Sequence, residues 1–505
     1  MRVSKKLKFR RLNILSTFIC IFISPLLCQK KRNATWVLGN SKDGNLLKFN
    51  DSISTSLINP GIYTAGSNSS ISDLEGNLLF YTNSCWVANA KYELMKNGDT
   101  INPGELKYGF CSNYFGAPSP GCVITEYPGV KDWYYIFNID FDIPYFGIDS
   151  FASFTPQRVM YHIVDMKRDS GKGEVILKNQ IALYDTLGRA SLIACRHANK
   201  KDFWLIAPKS HTNCYFVFLV DEQGVHKPSL QCLGERWSDL DTQGQAVFSP
   251  NGKHYARMNK WNGLNIYDFN DSTGQLSNPR PRIMFDQDTF HVTGLSFSPN
   301  SRYLYASPLY KVIQFDMEAP NIESSRTVIA QYDGFRNPYG TIFYLSALAP
   351  DGRIYISATS STYNLHVIKK PDCPGKASEI VQHGITLPGF NFSSIPTQPH
   401  YGYPPSTYSC DSTLNGINDD LTNKKLYEVF PTIARDHIKI KYNGNQFLED
   451  RTLHLTNQIG TQYLYKISNQ TFNEIDISNL PSGLYFLQIV HKNKVLYQTK
   501  LVKCQ

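Results

Sequence analysis

A unit of strand, tight polar turn and strand recurs about every fifty residues along most of the chain. Its six copies are residues 71–82, 124–139, 195–207, 247–258, 296–307 and 347–358. The last three align without gaps on Pro250, Pro299 and Pro350, at spacings of 49 and 51 residues. Proline presets φ in a turn, and the Asn or Asp that follows tolerates turn geometry, so each copy is predicted to be a β-hairpin.

Further strands with alternating apolar and polar residues follow these hairpins, and almost no helical periodicity is present. Repeated four-stranded sheets indicate a β-propeller, because one such sheet cannot bury both of its faces and radial stacking covers them. We therefore expect an all-β chain with a six- or seven-bladed, WD-repeat-like β-propeller; a β-sandwich is the alternative. A seventh blade would be closed by residues 34–40 pairing with strands from 376–402.

Basic residues are concentrated at the start of the chain. Of the 51 Lys and Arg, nine lie in the first 32 residues, which contain no acid, and the remainder balance the 42 Asp and Glu. The formal charge of +9 therefore gives no reason to expect nucleic-acid binding.

The basic start precedes an apolar stretch, residues 12–28, which is typical of an export signal. We predict a signal peptide over residues 1–28 with cleavage near Cys28 and no transmembrane span in the mature chain. A membrane anchor is one alternative, although polar residues interrupt a stretch already short for a span. A lipid on Cys28 is another, disfavoured by Leu27 where lipoprotein signals carry a small residue.

Nine cysteines follow the leader, with irregular spacing and no CxxC pattern, which disfavours a zinc site. Because an exported chain meets oxidising conditions, some of them are expected to form disulfides. An odd total leaves at least one free thiol, and Cys504 is the natural candidate. The spacing does not determine the pairing.

The composition of the sequence changes near residue 405. Residues 406–425 are polar and without periodicity, as in a linker, and separate a propeller over 33–405 from an end module over 426–505. The end module contains about seven short strands, a number that suits a small immunoglobulin-like β-sandwich.

Four motifs of the end module occur in order. They are Val429–Ala434, Leu455–Gly460, Leu480–Tyr485 and Lys500–Lys503. Together they resemble the type A C-terminal sorting domain of the type IX secretion system of Bacteroidetes, with Thr432 and Ile433 departing from the usual Asn-Pro. The residues that match the sorting signal are Pro431, Asn457, Gly460, Leu480, Pro481, Gly483, Tyr485, Lys500 and Lys503.

This resemblance implies how the protein is handled. The type IX machinery would be its partner, and the product would be secreted or attached to the cell surface after removal of the tail. The segments 36–50, 71–104 and 387–401 also resemble uncharacterised propeller-like Bacteroidetes proteins with the same tail, which imply no activity.

No catalytic, cofactor-binding or metal-binding residue is predicted. His162, His366, His437, His454 and His491 alternate within strands and are interpreted as cross-strand or surface residues. Arg196, His197 and His211 flank one hairpin and are assigned a structural or solvated role, with the central channel as the alternative. HExxH, GxSxG, Walker and GxGxxG motifs are absent from the sequence.

An inserted loop, residues 140–157, contains Asp140, Asp142 and Asp149 together with several aromatic residues. Alternate carboxylates can bind calcium, but the Asn and Gly framework of a calcium loop is missing, so a solvated loop is expected. Its aromatic residues could form a contact surface on the propeller face.

The leading hypothesis is an exported, non-enzymatic binding protein whose propeller face recognises a protein or a glycan. The alternative is a secreted hydrolase or lyase with a metal site in the propeller channel. A third interpretation is a self-associating component of an adhesive surface layer.

Overall fold

The structure, a computed structural model, divides the chain into two compact units, Met1–Cys410 and Asp411–Gln505. It describes residues 30–49, 53–103, 111, 121–140, 156–189, 191–237, 244–259, 261–285, 293–403, 408–410, 427–442, 451–457, 460–468, 470–491 and 494–504. The predicted signal peptide, Cys28, Asp142, Asp149 and most of the predicted linker lie outside these residues.

The described residues of the first unit form seven antiparallel sheets, here called blades 1 to 7. Blades 1 to 3 consist of β1 Thr35–Leu38, β2 Gly44–Phe49, β3 Ile53–Ile58; β4 Ser69–Ser72, β5 Leu78–Thr82, β6 Val87–Asn89; and β7 Cys122–Glu126, β8 Trp133–Asp140, β9 Arg158–Asp165, β10 Glu174–Tyr184. Blades 4 and 5 consist of β11 Ile193–Arg196, β12 Phe203–Pro208, β13 Cys214–Asp221, β14 Gly224–Val225, β15 Ser229–Cys232; and β16 Gly244–Phe248, β17 His254–Asn259, β18 Gly263–Asn270, β19 Gln275–Ser277. Blades 6 and 7 consist of β20 Thr293–Phe297, β21 Tyr303–Pro308, β22 Lys311–Asp316, β23 Thr327–Gln331; and β24 Phe343–Leu348, β25 Ile354–Ala358, β26 Ser361–Ile368, β27 Ile380–Phe392.

The propeller prediction is confirmed, and all six repeats are the inner hairpins of blades 2 to 7. The first strands of successive blades contact one another around the centre, from β1 to β24. The turn chemistry is as expected: Asn251 Oδ1 accepts the N–H of Lys253 at 3.0 Å, and Gly252 has φ +70°. The end of each sheet that carries these turns is called the hairpin face.

The closure predicted for residues 34–40 is wrong. β1 pairs with β2, with Thr35 opposite Lys48, so these residues begin a separate sheet, blade 1. The ring closes instead where blade 7 contacts blade 1. The Asn45 amide exchanges two hydrogen bonds with the Gly389 backbone, at 2.7 and 3.0 Å, and Trp36 packs edge-on against Tyr355 at 5.9 Å.

The core of the propeller lies between neighbouring blades. Blades 4 and 5 share an aromatic cluster in which the Tyr215 hydroxyl donates to that of Tyr267 at 2.9 Å. Blades 7 and 1 share another, built on Trp36 and Phe49. This arrangement explains the aromatic-rich composition, because large rings fill the wedge-shaped gaps between radial sheets.

Among the described residues, three disulfides join Cys85 to Cys111, Cys214 to Cys232 and Cys373 to Cys410. Cys504 is free, as predicted, and so are the buried Cys122 and Cys195. Cys410 falls in the predicted linker, yet its disulfide attaches it to the propeller unit. Each bridge stabilises a domain by about 2–4 kcal/mol, mainly by restricting the unfolded chain.

The second unit is a β-sandwich. Its strands are β28 Tyr427–Phe430, β29 Ile433–Ala434, β30 His437–Tyr442, β31 Arg451–Asn457, β32 Gln462–Ile467, β33 Phe472–Asp476, β34 Gly483–His491 and β35 Lys494–Lys503. They form one sheet in the order β28-β30-β33 and another in the order β29-β35-β34-β31-β32. One hydrophobic core between the sheets includes Ile438, Leu453 and Leu487.

Candidate functional site

The propeller's central channel is lined by neutral side chains of the inner strands and by the segment of chain that follows β27. A small cavity at its centre is lined by Gln245, Ser296 and Ser346 from the inner strands and by residues 396–398, 400 and 403. Gln398 secures this returning segment, because its side chain accepts from Trp36 Nε1 at 3.1 Å and donates to the Ser70 carbonyl at 2.6 Å. The segment after β27 therefore lies inside the channel, between the inner strands.

His400 lies in the same segment and is bonded on both ring nitrogens. Nε2 is 3.0 Å from the Phe248 carbonyl oxygen and Nδ1 is 2.5 Å from the Tyr403 hydroxyl. Burial lowers the pKa of His400 to about 4, so the ring is neutral at physiological pH. Its role in this arrangement is to anchor the segment.

Exposed aromatic residues gather at the end of blades 6 and 7 opposite the hairpin face. Tyr310, Phe335 and Tyr339 are 39%, 39% and 53% exposed, and with the half-buried Tyr332 they form what we call the aromatic surface. Three of the four lie on the connection between β23 and β24. The rings of Tyr310 and Tyr332 are 6.1 Å apart between centroids, and contiguous exposed apolar surface is a mark of interaction sites.

Hydrogen bonds hold the connection between β23 and β24 in one conformation. The Tyr332 hydroxyl donates to the Phe335 carbonyl at 2.7 Å, and Thr341 N donates to the same carbonyl at 3.1 Å. Asn337 Nδ2 donates to Asn364 Oδ1 at 2.8 Å, which ties the loop to β26. A ligand would therefore meet rings that are already ordered, which lowers the entropy cost of binding.

A histidine, His383, stacks on one ring of the aromatic surface. His383 stacks on Phe335 with centroids 4.1 Å apart, and its Nε2 is 3.0 Å from Asp333 Oδ2. Partial burial opposes ionisation of Asp333, but hydrogen bonds from the Phe335 N–H and from His383 outweigh it and lower the pKa of the carboxyl. The aromatic surface thus carries an ionised acid and the guanidinium of the exposed Arg336 at its edge.

Two of the histidines singled out in the sequence, and Asp140, are bonded to other groups of the protein. The cross-strand interpretation is confirmed for His162, which bonds Asn138 Oδ1 at 2.8 Å. It is also confirmed for His366, whose Nδ1 accepts from the His383 N–H of the neighbouring strand at 3.0 Å, while its Nε2 is 2.8 Å from the Thr341 carbonyl oxygen. Asp140 is not in a solvated loop, because it ends β8, is fully buried and forms an ion pair with Arg158. Among the described residues, no group of three or more His, Cys, Asp or Glu is placed to hold a metal ion.

The sequence missed the aromatic surface. Its signal was available, since Tyr332, Phe335 and Tyr339 recur in a stretch rich in Gly, Asn and Pro, where no strand could bury them. Arg196 and His197 lie beside a cavity on the hairpin face, whereas His211 lies in the turn between β12 and β13 at the other end of the sheet.

Most residues of the predicted sorting signal shape the end module. Tyr485 is buried and its hydroxyl donates to the Pro481 carbonyl at 2.7 Å, and Leu480 lies in the core. Asn457 and Gly460 make a turn in which Gly460 has φ +86°. The remaining positions are Pro431 after β28, Gly483 and Lys503 opposite each other on β34 and β35, and the exposed Lys500.

Residues 428–504 match the family described as the secretion system C-terminal sorting domain. The type IX sorting module expected from the motifs is therefore confirmed, and it indicates secretion or attachment to the cell surface. None of the helices in the described part of the chain is long and apolar enough to cross a membrane. No curated protein matches the chain.

Solved structures similar to the chain are β-propeller proteins at low identity. A Bacteroides fragilis protein provisionally assigned as a 6-phosphogluconolactonase is 14% identical over 70% of this chain and 95% of its own, with a TM-score of 0.43. The periplasmic gluconolactonase of Pseudomonas aeruginosa is 10% identical over 72% and 99%, at 0.39. The propeller domain of Cps50 from Myceliophteria thermophila is 9% identical over 64% and 93%, at 0.35. Such low scores carry no information on activity.

Proposed function

We propose that this β-propeller, joined to a secretion-system sorting domain, is a non-enzymatic binding protein that acts outside the cell. Its sorting domain delivers it through the type IX machinery, and its propeller holds a protein or glycan ligand on the aromatic surface. The single observation that supports this role most strongly is the exposure of Phe335 and Tyr339 on a loop fixed by its own hydrogen bonds.

The chemistry of the surface suits recognition. Aromatic rings offer large apolar contact area at a low cost in side-chain entropy, and neighbouring polar groups fix orientation. Asp333, Arg336 and Asn337 supply such groups beside the rings. Loops at the end of a rigid propeller are also where this architecture ordinarily carries function.

A metal-dependent hydrolase or lyase is the competing function. It needs carboxylates and histidines from several blades to converge in the channel. In the described residues, the channel cavity contains a single histidine, His400, which is occupied by two hydrogen bonds to the protein. This arrangement favours the binding role.

The test compares the full chain with a Phe335→Ala/Tyr339→Ala double variant. Wild-type protein is screened against a glycan array and against extracellular proteins of the producing cells, and affinities are measured for any ligand found. We expect the double variant to bind at least about tenfold more weakly, which corresponds to about 1.4 kcal/mol. A chelator should leave binding unchanged.

The matched control removes exposed apolar side chains elsewhere on the propeller. Leu57 and Tyr184 are 58% and 64% exposed on the outer strands of blades 1 and 3. A Leu57→Ala/Tyr184→Ala variant should bind as the wild type does. Equal affinity of both double variants, or turnover that a chelator abolishes, would refute the proposal.

A further inference from the structure

Two adjoining cavities on the hairpin face share Arg196 and Lys200. One, of about 240 Å³, lies between the inner hairpins of blades 4 and 5 and reaches Tyr401. The other, of about 270 Å³, lies between blades 3 and 4 and is lined by Arg32, Lys131 and Lys201 as well. We call the pair the cationic cleft, defined by Arg32, Lys131, Arg196, Lys200 and Lys201.

The acidic residues of the cleft already have cationic partners. Glu126 is 2.6 Å from Arg32, Asp132 is 3.5 Å from Lys167, and Asp271 is 2.7 Å from Lys253. Within the described chain, no carboxylate forms an ion pair with Lys131, Lys200 or Lys201. The cleft therefore has an excess of positive charge, although residues 33–505 contain equal numbers of basic and acidic side chains.

Buried donors lie at the inner end of the cleft. Tyr401 is 3% exposed, its hydroxyl has no hydrogen-bond partner in the described residues, and the Arg196 guanidinium lies 5.6 Å from its ring centroid. Arg32 Nε is likewise buried without a partner there. Burial raises the pKa of Tyr401, so its hydroxyl stays protonated and can donate. A buried donor without an acceptor is costly, and an anionic oxygen would satisfy it.

The lysines are held by a rigid turn. Asn199 Oδ1 accepts the N–H groups of Lys201 and Asp202 at 2.9 and 3.0 Å, and Lys200 N donates to the His197 carbonyl at 2.8 Å. His197 stacks on Trp204 at 5.4 Å, which pins the turn to its own blade. The positive charges are thus presented by a fixed backbone.

One wall of the cleft is aromatic. Tyr127 and Trp133 line the cavity between blades 3 and 4 and meet edge-on at 5.6 Å, and Tyr134 lies beside them. The flat apolar rings can pack against a sugar ring, while the cations neutralise an acidic substituent. A flexible acidic peptide would be held by the cations alone and would not require the aromatic side chains.

We propose that the cationic cleft binds an acidic sugar, with its carboxylate or sulfate group held by Arg196, Lys200 and the Tyr401 hydroxyl. This site lies at the other end of the blades from the aromatic surface and stands independently of it. The two sources of negative charge, uronate and sulfate ester, share the same recognition chemistry, and the experiment separates them.

The experiment titrates the full chain with oligogalacturonate, a chondroitin sulfate oligosaccharide, a neutral maltooligosaccharide and a polyglutamate peptide, by calorimetry at low and high salt. At least one acidic oligosaccharide should bind, more weakly at high salt because screening reduces the attraction. Lys200→Ala/Lys201→Ala should weaken this binding at least tenfold. Tyr401→Phe, which removes only the hydroxyl, should weaken it several-fold without lowering the unfolding temperature.

The matched control is Lys42→Ala/Arg353→Ala, which removes two exposed cations from the hairpin turns of blades 1 and 7. It should bind as the wild type does, and so should Phe335→Ala/Tyr339→Ala. The proposal is overturned if neither acidic oligosaccharide binds, if the neutral sugar or polyglutamate binds equally well, if the control loses as much affinity as Lys200→Ala/Lys201→Ala, or if Tyr401→Phe binds unchanged.

Discussion

His366 Nδ1 accepts a hydrogen bond from the backbone N–H of His383 at 3.0 Å. The same contact occurs in blade 3, where His162 Nδ1 accepts from the Asn179 N–H at 3.0 Å. In both blades the donor has positive φ, 42° at His383 and 60° at Asn179, and the pairing of the outermost strand shifts register nearby. A buried neutral histidine thus secures a bulge in the outer strand, and in blade 7 this bulge carries the ring that stacks on Phe335.

Replacing His366 with leucine should destabilise the propeller. The change leaves the Thr341 carbonyl and the His383 N–H without partners, at a cost of about 1–3 kcal/mol. Thermal unfolding should show a lower transition temperature, and His162→Leu should behave alike. His226→Leu, at a half-exposed histidine whose Nε2 is 2.8 Å from Asp221 Oδ2, is the control and should cost less than about 1 kcal/mol. Equal effects at His366 and His226 would contradict the assignment.

Acid should destabilise the propeller through its buried histidines. Burial lowers the pKa of His162 to about 3 and those of His366 and His400 to about 4, from 6.5. Because the folded pKa lies below the unfolded one, the unfolded chain binds more protons below pH 6.5, and stability falls as the pH decreases from there. The loss is on the order of 3 kcal/mol by about pH 4 for each of His366 and His400.

Urea unfolding at pH 7 and pH 4.5 measures this effect. Carboxylates also contribute to acid sensitivity, so the informative quantity is the difference between wild type and His366→Leu. The variant should lose about 2 kcal/mol less than the wild type over this interval. Identical losses in the two proteins would show that His366 does not stay neutral in the folded state.

Thiol labelling should distinguish three states of residues 29–505, prepared with the sorting module, and hence Cys504, still attached. Native protein should react at Cys504 alone, because Cys122 and Cys195 are buried. Denatured, unreduced protein should expose all three thiols, and reduction should release the six disulfide cysteines as well. Rapid labelling of more than one thiol in the native state would contradict this account.

Two substitutions separate the fold of the sorting module from its recognition. Tyr485→Ala removes a buried ring and should cost about 3–5 kcal/mol, so export is lost because the module unfolds. Lys500→Ala changes an exposed side chain and should alter stability by less than about 0.5 kcal/mol. We predict that it reduces surface delivery nonetheless, as measured by cell fractionation, with proteolysis confirming an intact module. Full delivery of the Lys500→Ala protein would show that Lys500 is not part of the sorting signal.

The hairpins of the propeller were predictable because turn residues act locally. Pro250, Pro299 and Pro350 fix their turns irrespective of the rest of the chain. The first blade was not recognised, because residues 34–40 were expected to pair with strands from 376–402, whereas β1 pairs with β2. Ring closure was mispredicted for a related reason: it depends on contacts such as that between Asn45 and Gly389, which strand patterning does not encode.

The candidate sites were less predictable than the fold. The aromatic surface requires that Tyr310 and Tyr332, from different connections of blade 6, meet at 6.1 Å. The cationic cleft brings Arg32, Arg196 and Tyr401 together from distant parts of the sequence. The sorting module was the exception, because its motifs are short and contiguous.

Deleting residues 426–505 and locating the propeller by cell fractionation tests the central claim most directly. If the end module is a separate sorting domain for a surface-directed propeller, the truncated chain should fold, with an unchanged propeller unfolding transition, and should accumulate in the periplasm. Arrival of the truncated propeller outside the outer membrane would contradict the account.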